Sequence, residues 1–313
     1  MKKLCMAVLA VFLLMMTGCG GQKAVPDQAA SMPEITIGVM PDTDSLPFII
    51  AAEKGFFAEE GVKVNIQQFK SAMDRDAAMQ SGNLDGSVSD VLAAAFARSG
   101  GFDVRITSLT DGSYKLVAGQ GEPAEQVQDL AGHDVAVSRN TVIEYVTDEI
   151  LKTQGMQENA IHKVVIPQIP TRLEMLQNGK LAAATLPEPM AGIAVQNGCH
   201  YITGSDQLGI NPGVMLFTTA AVDSKAESIQ AMYRAYNKAV DYLNHTERSA
   251  YMDLVIEKGG FPPAAKGALN LPVYHEAVLP REQDIAACMQ WLKDKNLVAE
   301  TYSYDDLIVQ LLP

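Results

Sequence analysis

The chain has 313 residues, long enough for two domains of ordinary size or one large one. Acidic side chains outnumber basic ones 37 to 24, a net charge of −13, which argues against a nucleic-acid partner because phosphate binding needs clustered Lys and Arg. The four cysteines and five histidines show no metal-ligand spacing, so neither a metal site nor a cofactor is expected.

The first element is an export signal. Met1-Lys2-Lys3 gives a positive start, and the apolar run over 4–16 that follows is shorter than the roughly 20 residues a membrane-spanning helix needs. Met16-Thr17-Gly18-Cys19 resembles a bacterial lipobox, with Met16 where Leu is usual. The resemblance implies that the Cys19 thiol receives a diacylglycerol and becomes the first residue. Residues 20–33 are rich in Gly, Ala, Gln, Ser and Pro and cannot bury enough apolar surface to fold. The expectation is a signal peptide over 1–18, a lipidated flexible tether over 19–33, and a globular part from residue 34. The protein would then sit in the cell envelope, anchored by lipid to the extracytoplasmic face of a membrane.

From residue 34 strand-like and helix-like segments alternate. Residues 35–39 read as a strand and 48–60 as a helix interrupted at Gly55, and 62–69 alternates apolar and polar residues. A helix over 74–80, a strand over 86–88 and an Ala-rich helix over 91–98 follow, then strands over 104–108 and 114–118. The middle repeats the rhythm: strand 134–137, helix 142–152 ended by Gly155, strand 163–166, helix 172–178, strand 182–186. After a strand over 214–219 the chain turns helical. Ile229, Met232, Tyr233, Tyr236, Val240 and Leu243 form one apolar stripe, and Ile285, Met289, Trp291 and Leu292 mark a second, both read as core. Cys199 and Cys288 read as buried free thiols, with a disulfide as the alternative in an oxidising compartment.

This alternation predicts an α/β protein with helices on both faces of its sheets. Gly and Pro cluster at 119–123 and at 209–213, which places two chain crossings there and makes two α/β lobes joined by a two-crossing hinge. Lobe 1 would comprise 34–118 and 215–313, and lobe 2 residues 119–214.

In open α/β sheets ligands bind beyond the carboxyl ends of strands, close to helix N-termini. That rule selects Asp42, Asp44 and Ser45 after the first strand, Lys70 and Ser71 after the second, Ser89 and Asp90 after the third, and Thr110 and Asp111 after the fourth. In the middle of the chain it selects Ser138, Asn140 and Thr141 around a helix start, with Arg139 among them, and Glu188 after a later strand. Hydroxyl and amide groups at a helix start either cap its free N–H groups or present them to an anion, and both readings stay open for 138–141. Acids at turns commonly serve the backbone. Glu188, held between Pro187 and Pro189, is the acid expected to touch ligand directly, and several acids around one cleft favour a cationic or amine-bearing solute.

Four segments in order resemble the type II periplasmic-binding-protein superfamily, in the branch that holds sulfonate-, taurine-, nitrate- and thiamine-precursor-binding proteins (NMT1/THI5-like). They are Leu46-Pro47-Phe48 through Gly55-Phe56-Phe57-Ala58-Glu59-Glu60-Gly61-Val62; Arg75-Asp76-Ala77 through Gly82-Asn83-Leu84-Asp85-Gly86; Asp129-Leu130-Ala131-Gly132-His133-Asp134; and Gln177-Asn178-Gly179-Lys180-Leu181 leading to Leu186-Pro187-Glu188-Pro189. The similarity spans about residues 34–300. The chain departs from the family pattern at Ala131 and His133, where lysines are usual, and at Ala182, where Asp is usual. The resemblance implies a monomeric solute-binding protein of an ABC importer. It would take a small polar organic molecule, sulfonate-like or aminopyrimidine-like, and deliver it to a membrane permease, without catalysis. The cysteine clusters of the pyrimidine-synthesising relatives are absent from the sequence. A ligand-sensing receptor and an enzyme on the same fold are the alternatives.

The lipobox reading has a direct check. The wild-type protein should partition with membranes and carry a lipid mass increment at its N-terminus, whereas Cys19→Ala should lose both. Retention of the variant with no mass difference from wild type would overturn it.

Overall fold

The computed structural model describes residues 32–313. The signal segment, Cys19 and most of the tether lie outside the described residues. In chain order, β1 (Ile35–Val39) leads through a polar loop to α1 (Leu46–Glu53) and α2 (Phe56–Glu59). β2 (Val64–Gln68) leads to α3 (Ala72–Gln80), and β3 (Gly86–Asp90) runs directly into α4 (Val91–Ser99). β4 (Val104–Leu109) and β5 (Tyr114–Ala118) follow, then β6 (Asp134–Val137), α5 (Val142–Thr153), β7 (His162–Val165), α6 (Ile169–Gln177), β8 (Ala183–Pro187), α7 (Met190–Gln196), β9 (His200–Gly204) and β10 (Gly213–Thr218). The remainder is helical: α8 (Thr219–His245), α9 (Met252–Lys258), α10 (Ala265–Ala268), α11 (Glu282–Asp294) and α12 (Tyr304–Leu307).

Local chemistry sets several boundaries. Gly55 has φ 78°, a left-handed conformation that splits the expected helix over 48–60 into α1 and α2. The Ser71, Asp90 and Thr141 side chains accept from backbone N–H groups of Asp74, Ala93 and Ile143, capping α3, α4 and α5. The stripe on α8 is buried from Ile229 to Leu243, and Phe48 of α1 meets Tyr236 of α8 with ring centroids 4.8 Å apart. Cys199 and Cys288 are both buried and unpaired. Strand β9 and helix α7 are additions to the sequence expectation. β9 is a short edge strand whose pattern His-Tyr-Ile-Thr-Gly has no clean alternation, and α7 begins directly behind Pro189, where a stop signal is indistinguishable from a helix start.

The strands form two five-stranded sheets with one shared design, ordered β2-β1-β3-β10-β4 and β7-β6-β8-β5-β9. In each the first three strands are parallel and the fourth is antiparallel to both its neighbours. The fourth strand is delivered by the chain as it changes sheet: β5 opens the second lobe and β10 returns to the first. The return crossing occupies 205–212, overlapping the expected 209–213, but the first lies at 110–113 and not at 119–123, because β5 pairs with β8 and β9. Two strands joined by Asp-Gly read locally as neighbours in one sheet. Only the partners available to Tyr114–Ala118 send it to the other.

Gly86 occupies a close approach in the middle of the first sheet. A Cβ there would lie 2.5 Å from the Leu216 carbonyl oxygen and 2.6 Å from the Phe217 ring, and a backbone atom in a paired strand has nowhere to move. Gly86→Ala should therefore destabilise the fold by about 1–3 kcal/mol. The check is a lower urea midpoint at unchanged slope.

Candidate functional site

The two sheets present the carboxyl ends of their parallel strands to a common seam. There a small, partly open cavity is lined from both lobes. The first lobe contributes Asp42 and Asp44 from the β1–α1 loop, Arg75 from α3, and Ser89 and Asp90 at the end of β3. The second contributes Tyr114, Ser138, Thr141 and Arg172. The lobes are in contact across it: the Thr43 amide donates to the Glu188 carbonyl at 3.0 Å, and the Ile169 amide to the Lys70 carbonyl at 3.1 Å.

Six of the sequence-selected residues line this cavity: Asp42, Asp44, Ser89, Asp90, Ser138 and Thr141. Two more hold them in place. The Ser45 hydroxyl donates to Asp42 Oδ1 at 2.7 Å, and the Thr110 hydroxyl, on the first crossing, donates to Asp44 Oδ2 at 3.0 Å. The other five are placed elsewhere. Ser71 is taken up by its cap on α3, donating to Asp74 Oδ2 at 2.7 Å, and the Lys70 side chain is exposed. Asp111 binds the amide of His275 at 2.8 Å and fixes the loop before α11 to the crossing. Asn140, at φ 57°, is exposed and donates its amide to Glu144 Oε2 at 2.7 Å, and Arg139 is exposed beside it. Glu188 is buried but lies outside this cavity, its Oε2 accepting the Gly192 amide at 3.0 Å inside α7. The carboxylate serves a helix start, which is where the turn Pro187-Glu188-Pro189 delivers it. Within 138–141, Thr141 both caps α5 and lines the cavity, and Ser138 lines the cavity as well.

The two arginines were not selected from the sequence. Each stands fourth in its helix, α3 or α6, where a cation is poorly placed against the helix dipole. That misfit was the available signal. Both are essentially fully buried, at 2% and 0% exposure. Arg75 donates from Nε to Asp76 Oδ1 at 2.8 Å and from Nη1 to the Val88 carbonyl at 3.0 Å. Arg172 donates from Nε to the Thr185 carbonyl at 2.9 Å and from Nη1 to the Ile166 carbonyl at 2.7 Å.

Burial governs the electrostatics. It raises the Asp42 carboxyl to about 6, against hydrogen bonds from Ser45 and the pull of Arg75. It lifts Asp44 well above the carboxylate range, helped by the neighbouring Asp42 charge, and it raises Asp90, with Arg75 acting in the opposite direction. Burial also lowers Arg75, but Asp76, Asp90 and Asp42 outweigh it and hold that guanidinium above its ordinary value. Arg172 has burial alone and falls to about 10, still protonated at neutral pH. Four cavity-lining side chains keep a buried atom without a hydrogen-bond partner: Asp44 Oδ1, Ser89 Oγ, Arg75 Nη2 and Arg172 Nη2. Of the two guanidinium nitrogens only that of Arg75 has a carboxylate near it, Asp76 Oδ1 at 2.8 Å. Unpaired polar atoms at such depth cost roughly 1–3 kcal/mol each, so their gathering in one cavity marks a place built to be occupied.

Two matched α/β lobes flank a polar cavity, a two-lobed α/β architecture. The sequence matches the NMT1-like family over residues 28–256, and the chain belongs to that family. No curated protein sequence matches it. Among solved structures it is similar to the periplasmic aliphatic sulphonate binding protein SsuA from Escherichia coli, 18% identical, covering 89% of this chain and 92% of that one at a TM-score of 0.74. It is also similar to the alkanesulfonate-binding protein SsuA from Xanthomonas axonopodis pv. citri bound to MOPS, 15% identical over 89% and 99% with a TM-score of 0.75. The periplasmic nitrate-binding protein NrtA from Synechocystis PCC 6803 is 16% identical over 80% and 74% with a TM-score of 0.64.

The raised Asp42 has a stability consequence. The folded state binds that proton more tightly than the unfolded chain, whose carboxyl titrates near 3.8, so the burial cost is present in full above about pH 6 and relieved as pH falls below it. The difference in melting temperature between Asp42→Asn and the wild type should be nearly constant from about pH 8 to about pH 7 and shrink as pH falls through about 6 toward about 4. A difference independent of pH would show that Asp42 is not held in this environment.

Proposed function

We propose that this chain is the extracytoplasmic solute-binding component of an ABC importer, which captures a small polar organic solute between its lobes and delivers it to a membrane permease. The observation that carries this reading is the cavity at the seam, lined by buried polar groups from both lobes that lack partners within the protein. A ligand there completes both walls at once, so binding favours lobe closure. The sulphonate- and nitrate-binding proteins of the same fold support solute capture, and lipidation at Cys19 would hold the receptor at the membrane where a permease lies.

Among the described residues that line the cavity, the groups able to take a proton from Ser89 or Ser138 are the carboxylates Asp42, Asp44 and Asp90, and the first two already accept hydrogen bonds from Ser45 and Thr110. Genes for a permease and an ATPase beside this one would distinguish import from sensing.

Closure has a built-in reporter. Trp291, the single tryptophan of the chain, lies on α11, which packs against α4 of the first lobe. Its Nε1 donates to Asp148 Oδ2 on α5 of the second lobe at 3.0 Å, and its ring stands edge-on to Tyr145 of that helix at 5.8 Å. Opening of the seam must break these contacts. A solute that binds should change Trp291 emission and raise the melting temperature in the same concentration range. Turnover of a bound molecule by the purified protein would overturn the assignment as a receptor.

A further inference from the structure

The shared design of the two sheets allows their walls to be compared position by position. Arg75 and Arg172 are equivalents: each stands fourth in the helix after the second strand, and each donates to the carbonyl of the third residue in the third strand, Val88 of β3 or Thr185 of β8. Their surroundings differ in one respect. Arg75 has three carboxylates acting on it, Asp42, Asp76 and Asp90. At the corresponding places in the second lobe stand Asn140, Leu173 and Pro187, none of which carries charge. Among the described residues no carboxylate comes within ion-pair distance of Arg172, although the residue is 0% exposed and its Nη2 has no acceptor. A guanidinium stripped of both water and counter-charge is among the costliest arrangements a protein interior holds, and it persists where a ligand supplies the missing anion.

The opposite wall has the complementary excess. Asp42, Asp44 and Asp90 line the cavity against the single Arg75, and Asp44 Oδ1 and the Ser89 hydroxyl are both buried and unpartnered. An anion alone would satisfy Arg172 and leave Asp44 Oδ1 and the Ser89 hydroxyl without partners. A cation alone would satisfy the acids and leave Arg172 bare.

Resting on the receptor reading above, we propose that the solute is dipolar: a small organic molecule with an anionic oxygen group that pairs with Arg172 and an ammonium at its other end that donates to Asp44 and Ser89. Carboxylate, sulfonate and phosphonate share the chemistry that the Arg172 fork recognises, and the competition arms below separate them. The acids thus select for an amine, as the sequence indicates, but only in a molecule that also carries an anion.

The test is calorimetric titration of the purified protein with β-alanine, taurine and 2-aminoethylphosphonate, each against its one-ended counterparts propionate, ethanesulfonate, ethylphosphonate and ethylamine. At least one dipolar probe should bind roughly ten- to a hundredfold tighter than its one-ended counterparts, the gain expected of one charge-assisted hydrogen-bonded pair. Asp44→Asn, an isosteric change, should erase that preference while leaving the affinity for the matched anion within a few fold. Arg172→Lys, which keeps the charge and loses the fork, should weaken dipolar and anionic probes together. Equal or tighter binding of a one-ended probe, or an Asp44→Asn variant with the preference intact, would overturn the dipolar assignment and leave the receptor reading standing. If no probe binds, and a wider set of sulfonates, amines and aminopyrimidines also leaves Trp291 emission unchanged, both fall.

Discussion

Burial of charge in the seam is the constraint on which the rest of the structure depends. A guanidinium taken out of water is tolerated only when its donors find acceptors, and both arginines find them on the third strand of their own sheet. Each side chain thereby ties a helix start to a strand end at the rim of the cavity. The acids add a second layer of fixation: Asp42 is held by Ser45, and Asp44 by Thr110 on the crossing between lobes. The walls are rigid because their polar groups are largely satisfied by neighbours. The few atoms left over define what the cavity lacks.

The hinge follows from strand topology. Each sheet takes its fourth strand from the chain as it changes lobe, so the crossings at 110–113 and 205–212 are fastened at both ends by antiparallel pairing. The crossings are short loops, while β5 and β10 belong firmly to their sheets. Asp111 and Asp44 couple these loops to the cavity and to the loop carrying His275, which places the floor of the cavity against the first crossing. The contact of Trp291 with Asp148 joins the lobes at a second place, outside the cavity.

How much of this could be read in advance differs between fold and site. The stripes on α8 and α11 were legible because a helix that buries one face must repeat apolar residues at its own period. The loops after strands were legible as a site because open α/β sheets leave only those ends free, and Asp42, Asp44, Ser89, Asp90, Ser138 and Thr141 are there. Glu188 and Asn140 sit at equally suitable turns, yet their polar groups are consumed locally by Gly192 and Glu144. Arg75 and Arg172 stand out in the sequence only by their place near the start of polar helices. Nothing in the order of residues says that one faces three carboxylates and the other none.

The sequence by itself determined the alternation of strands and helices, the capped helix starts, the apolar faces and the membership of a family, because each depends on residues close together in the chain or on their order. Only the tertiary structure decided which sheet Tyr114–Ala118 joins, which acids meet in one cavity, and that Arg172 is buried without a counter-charge. Pairing and electrostatics act between residues brought together from distant parts of the chain, and burial strengthens them by removing the water that would otherwise screen them.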